Sequence, residues 1–118
     1  MNYPDAMRLL ITGSNFYDNH RAVFVSLDSL VRLAGGEIIT VVHDGRVGAE
    51  LIAGQIADAS ADAGLENECH PDATAQELVD LGADRCLCFL QRRFNDVRAQ
   101  DMMTRARAAG IFTLWESD

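Results

Sequence analysis

The feature that most limits what this chain can become is a repeating order of segments. A run of β-branched or aliphatic residues leads into a polar turn, then into a segment with helical apolar spacing, then a glycine, and the next apolar run begins. Residues 7–12 read as a first strand that ends in the polar turn 13–18. Asp18 or Asn19 is a suitable cap for the helix that follows, in which Val23, Leu27, Leu30, Val31 and Ala34 share one face. Gly35-Gly36 stops it. Residues 37–42 form a second strand. Arg46 or Val47 opens a second helix with Ile52, Ile56, Ala59 and Ala63 on its apolar side, closed by Gly64. Residues 65–69 read as a short third strand. Thr74-Ala75-Gln76-Glu77 has the form of a capping box, and the short helix it starts runs through Leu78 and Leu81 to Gly82. A fourth strand at 85–90, a loop at 91–96, a helix at 97–109 stopped by Gly110, and a last strand at 111–115 complete the pattern.

Strands that alternate with helices pair in parallel through right-handed crossovers, so helices cover both faces of the sheet. The expected class is α/β: a Rossmann-like three-layer sandwich around a mostly parallel five-stranded sheet, as one domain over residues 1–118. The length suits one core, and a hydrophobic fraction of 48% with few aromatics suits aliphatic packing.

Charge narrows the function classes. Eighteen acidic residues against ten basic ones give a net charge of -8, which argues against nucleic-acid binding by phosphate neutralisation. One helix N-terminus with one arginine still admits a small phosphorylated ligand. No apolar run is long enough to cross a bilayer, and Met1-Asn2-Tyr3-Pro4-Asp5 lacks the basic and apolar regions of a signal peptide, so a cytoplasmic location is expected. Cys86-Leu87-Cys88 and Cys69-His70 offer metal-ligand types, but the spacing is not Cys-x-x-Cys. Reduced, buried thiols are the favoured reading, with no metal and no cofactor expected.

The stretch with most to say about function is Val41-Val42-His43-Asp44-Gly45-Arg46-Val47-Gly48-Ala49-Glu50. A buried strand runs straight into a helix there. Such a junction aims the free N–H groups of the first helical turn at one spot, where the helix dipole favours an anion. Gly45 and Gly48 would let a ligand approach the backbone, or serve turn geometry and close packing. Arg46 is placed to pair with a phosphate or carboxylate, or with Glu50 four residues on. Asp44 is read as a helix cap, and Glu50 as favouring the dipole. His43 is a general-base type at the edge of the presumed cleft, although a hydrogen-bonded structural histidine is the commoner case. In open α/β sheets ligands sit beyond the carboxyl ends of the strands, where strand order reverses. The turn Gly13-Ser14-Asn15 and the loop containing Arg92 and Arg93 are expected to meet the junction there.

These residues carry a resemblance. The chain resembles the YspA-like family of the SLOG superfamily over about residues 7–115. That family has His-Gly-Gly-Ala-Arg-Gly-Ala-Asp at the second strand–helix junction. Here His43, Gly45, Gly48 and Ala49 match it, Glu50 stands for the aspartate, Asp44 replaces a glycine, and the arginine comes one place early as Arg46. Gly13-Ser14-Asn15-Phe16-Tyr17 matches the family's first turn, with Asn15 in place of arginine, and Arg105 to Ile111 follows its ending. The third motif departs, because Phe89-Leu90-Gln91-Arg92-Arg93-Phe94 has none of the glycines that would cradle a phosphate or ribose. The resemblance implies a Rossmann-like fold and a nucleotide-type pocket without inherited phosphoribohydrolase chemistry.

The expected function is therefore a small-molecule binding module. A nucleotide or nucleotide-derived ligand is expected at Gly13, Ser14, Asn15, His43, Asp44, Gly45, Arg46, Gly48, Ala49, Glu50 and Arg92, with no catalytic residue assigned. The alternatives are a nucleotide N-glycosidic hydrolase and an oligomeric scaffold that self-associates through apolar residues near Met102, Met103 and Trp115, three residues that read as core or as subunit contacts. A homo-oligomer is expected, with neither nucleic acid nor membrane as partner.

Overall fold

The computed structural model describes residues 7–91 and 96–117. Its elements are β1 (Met7–Gly13), α1 (His20–Ala34), β2 (Ile39–His43), α2 (Ala49–Ala59), a 3₁₀ turn (Ala61–Ala63), β3 (Leu65–Cys69), α3 (Ala75–Asp80), β4 (Arg85–Leu90), α4 (Val97–Ala108) and β5 (Phe112–Ser117). The strands form one five-stranded sheet in the order β3-β2-β1-β4-β5. Every pairing is parallel, from Met7 opposite Ile39 to Leu90 opposite Ser117, so the sheet is parallel throughout. This is the Rossmann-like arrangement expected from the alternation of elements.

The period-two alternation of strands decides which helix packs where. Leu9 and Ile11 of β1, with Ile39 and Val41 of β2, pack with Val23 and Leu27 of α1 and Ile52 and Ala53 of α2. Leu10 and Val42 face the other way, towards Leu78 and Val79 of α3 and Met102 and Ala106 of α4. The chain moves outward from β1 to β2 and β3, then returns across the sheet to β4. Strand order therefore reverses between β1 and β4.

Helix boundaries follow local chemistry. Asn19 caps α1 by accepting the Ala22 N–H at 3.0 Å. The capping box at Thr74 is complete: Thr74 Oγ1 accepts the Glu77 N–H, and Glu77 Oε1 accepts the Thr74 N–H, both at 3.1 Å. Two expectations need correction. α2 starts at Ala49 rather than Arg46 or Val47, because the Arg46 N–H is taken by the Asp44 carboxylate and the chain first turns through Val47-Gly48. Its apolar face ends early: the helix stops at Ala59, the following 3₁₀ turn changes the phase, and Ala59 and Ala63 are exposed. Met102 and Met103 of α4 are core residues, the first of the two readings open to them, so of the three only Trp115 is exposed for a subunit surface.

Candidate functional site

The carboxyl ends of β1, β2 and β3 open onto a cleft of about 610 Å³, lined by Asn15, Phe16, Asp44, Gly45, Arg46, Val47, Pro71 and Asp72. Asn15, Asp44, Gly45 and Arg46 are thus brought together as the sequence suggested. Phe16 and Val47 are 67% and 69% exposed and add apolar surface that the sequence reading did not assign to the site.

The other junction residues do a different job. Ser14 ties the β1 turn to β4: its N–H donates to the Phe89 carbonyl at 2.9 Å, and its Oγ accepts the Gln91 N–H at 3.0 Å. Gly48, at φ 111°, lies against this turn, so that a Cβ there would stand 2.3 Å from the Ser14 carbonyl oxygen. A Cβ on Gly13 would be 2.5 Å from the Phe89 oxygen and 2.8 Å from the Ala49 Cβ. Gly13, Ser14, Gly48 and Ala49 therefore form a tight seam between the first turn and α2. The close approach that Gly48 permits is made by the protein's own backbone. Gly45, at φ 75°, faces Cys69, whose Sγ would be 2.8 Å from an added Cβ.

The start of α2 is in part engaged from within. Leu51 N–H donates to the Arg46 carbonyl at 3.0 Å, and Ile52 N–H to the Gly48 carbonyl at 3.1 Å. Gly48 is the N-cap and supplies no side chain, so Asp44 is not the helix cap. The Asp44 Oδ1 instead accepts the Arg46 N–H at 3.2 Å, while its Oδ2 pairs with Arg46 Nε at 3.2 Å and with Arg98 Nη2. Glu50 does not pair with Arg46; its Oε2 takes Arg98 Nη1 at 2.8 Å. Arg98 thus joins α4 to both carboxylates across the crevice where strand order reverses. Both acids are almost wholly buried, each side chain 1% exposed.

Burial pushes the Glu50 carboxyl up to about 8, and Asp96 adds to the shift. The Glu50 backbone N–H and the Arg46 charge oppose it. The second carboxyl oxygen, Oε1, is buried without a hydrogen-bond partner among the described residues. A carboxyl raised in this way carries its proton near neutrality, so this helix start presents less negative charge than two ionised acids would.

Arg98 was missed by the sequence reading, although one signal was present. A cation in the first turn of α4 opposes that helix's dipole and needs a compensating anion. Buried Asp44 supplies it, and Glu50 Oε2 accepts a further hydrogen bond from the same guanidinium.

His43 lies beneath α2, away from the cleft. Its Nδ1 accepts the Gly45 N–H at 2.9 Å, so the ring proton sits on Nε2, which donates to Asn67 Oδ1 at 2.5 Å. Asn67 in turn donates to Asp58 at 3.3 Å. Burial lowers the histidine's pKa, favouring the neutral ring. With both nitrogens engaged, this is the structural role rather than that of a base. Cys86 and Cys88 are buried on β4, and burial pushes the Cys86 thiol up to about 12. Cys69 lies on β3 with β2 and β1 between, so the thiols do not converge. Arg92 and Arg93 lie outside the described residues.

No protein-family model, no curated protein and no solved structure matches this chain. Among the described residues, no helix is long and apolar enough to cross a membrane.

Proposed function

We propose that this protein is a small-molecule binding module whose cleft, at the ends of β1, β2 and β3, takes a nucleotide-derived ligand by its nucleoside part. The observation that carries this reading is the cleft of about 610 Å³, which sets the exposed Phe16 and Val47 beside Asn15, Arg46 and Asp72. Flat apolar surface with a few convergent polar groups suits a heterocycle bearing hydroxyls. The resemblance to the YspA-like family of the SLOG superfamily agrees with a ligand of this class at this junction.

A phosphate is not the leading recognition element. Glu50 at the start of α2 is engaged by Arg98, Asp44 is buried against Arg46 and Arg98, and the exposed Asp72 on the cleft wall repels a dianion. Among the described residues, His43 is held beneath α2 and Glu50 by Arg98, so neither is taken as a catalytic group. The reading takes the protein as cytoplasmic.

Calorimetry and thermal shift with purine and pyrimidine nucleosides and their monophosphates test it. At least one nucleoside should raise the melting temperature, its monophosphate should do no better, and Phe16→Ala and Arg46→Ala should each weaken binding. No stabilisation by any compound, or both variants binding as well as the wild type, overturns the reading.

A further inference from the structure

The two edges of the sheet are built differently. The β3 edge reads Leu-Glu-Asn-Glu-Cys, with Glu66 and Asn67 exposed. Charges on an edge strand discourage another strand from pairing with it. The β5 edge reads Phe-Thr-Leu-Trp-Glu-Ser, and Phe112, Leu114 and Trp115 are 58%, 46% and 56% exposed. It has no proline or lysine and a single charge, Glu116. No described element lies beyond it in the sheet. Among the described residues nothing pairs with its outward backbone groups, which leaves them to a partner strand.

We infer that β5 pairs with β5 of a second copy of this chain, antiparallel about a two-fold axis at Leu114, to make a continuous ten-stranded sheet. An isologous contact must be self-complementary, and this register is. Leu114 meets Leu114 of the partner subunit on the axis. Thr113 meets the partner's Trp115 on one face, and Phe112 meets the partner's Glu116 on the other. Charge favours the same register. The Arg85 guanidinium lies over the Phe112 ring, 5.7 Å from its centre. Strands in a sheet are about 4.8 Å apart, so the partner's Glu116 comes within about 10 Å of the Arg85 backbone, a gap that two long side chains bridge over Phe112. Each copy thus sets one cation against one acid of the other, at a patch that escapes the repulsion expected between two chains of net charge -8. The groove of about 290 Å³ between α1 and β5 is lined by Leu33, Leu87 and Leu114 together with Arg85 and Glu116, whose Oε1 accepts from Ser26 Oγ at 3.0 Å, and it then continues across both copies with these charges at the join.

Sedimentation equilibrium of the full chain, from low micromolar to submillimolar concentration, tests the pairing. The expected mass is twice 12.9 kDa. Leu114→Lys places two like charges directly opposite on the axis and should raise the dimer Kd by about tenfold or more. Because Leu114 is partly exposed, far-UV circular dichroism should show that variant folded. Glu116→Arg should also weaken the dimer, and the swap Arg85→Glu with Glu116→Arg should recover it. A wild-type monomer at every concentration overturns the inference. So does a dimer that survives both Leu114→Lys and Glu116→Arg, or a charge swap no tighter than the single reversal. The ligand-binding reading stands or falls separately, on the nucleoside titrations.

Discussion

The imidazole of His43 occupies space that Gly54 leaves open in the middle of α2. A Cβ on Gly54 would stand 2.8 Å from both Cε1 and Nε2 of the ring. A helix glycine replaced by alanine ordinarily gains about 1 kcal/mol from propensity. At this position the sign should reverse, because the ring is held by Gly45 and Asn67 and cannot easily move. Gly54→Ala should lower the denaturation midpoint. Adding His43→Ala should restore part of the loss, giving a favourable coupling in a double-mutant cycle. An additive result would show that the ring is free to shift.

Gly48 and Gly36 separate strain from steric exclusion. Both have positive φ, 111° and 100°, but a Cβ on Gly36 meets nothing within 4 Å while one on Gly48 meets the Ser14 carbonyl oxygen at 2.3 Å. Gly36→Ala should cost about 1–2 kcal/mol for its backbone conformation alone. Gly48→Ala should cost distinctly more in urea denaturation, since backbone must move on one side of the seam. Equal losses at the two positions would show that the seam is loose.

Removing Arg98 takes one cation from buried Asp44 and the donor from Glu50 Oε2. Breaking a buried ion pair from one side costs about 3–5 kcal/mol. Arg98→Ala should fall at or below the lower end of that range, because its side chain is 23% exposed and Arg46 still holds Asp44. Arg46→Ala, at a side chain 50% exposed, should cost much less. Chemical denaturation of the two variants under identical conditions ranks them.

Glu50 and Glu68 act in opposite directions on pH. The Glu50 carboxyl is raised from 4.5 to about 8 in the folded protein. Between those values the folded chain holds a proton that the unfolded chain has released, so this group's contribution to stability falls as pH rises through the window. Glu50→Gln should flatten that decline between pH 5 and 8. Glu68 is lowered from 4.5 to about 2, chiefly by the paired hydrogen bonds from Arg8 at 2.7 and 3.1 Å, with His70 helping. Its contribution is present above 4.5 and is lost as pH falls towards 2. Glu68→Gln should remove part of the acid limb while leaving the limb above pH 5 unchanged. Urea midpoints measured against pH for the three proteins check both signs.

Read from the sequence alone, the alternation of apolar runs with helical segments already determined the α/β architecture, because each element's period shows which side it must bury. Local signals determined the caps at Asn19 and Thr74, since a cap needs only residues a few places apart. They also located the turn at residues 43–50. What that turn does was decided by contacts between residues far apart in the chain. Gly48 reads equally well as a ligand approach or a packing contact until Ser14 is set against it. Glu50 reads as a dipole-favouring surface acid until Arg98, forty-eight residues later, meets it in a buried crevice. Likewise the bare edge at β5 depends on strand order, which places β3 and β5 outermost and β1 at the centre. Periodicity is written in neighbours along the chain, whereas burial and charge pairing depend on neighbours in space, and only the assembled sheet brings those together.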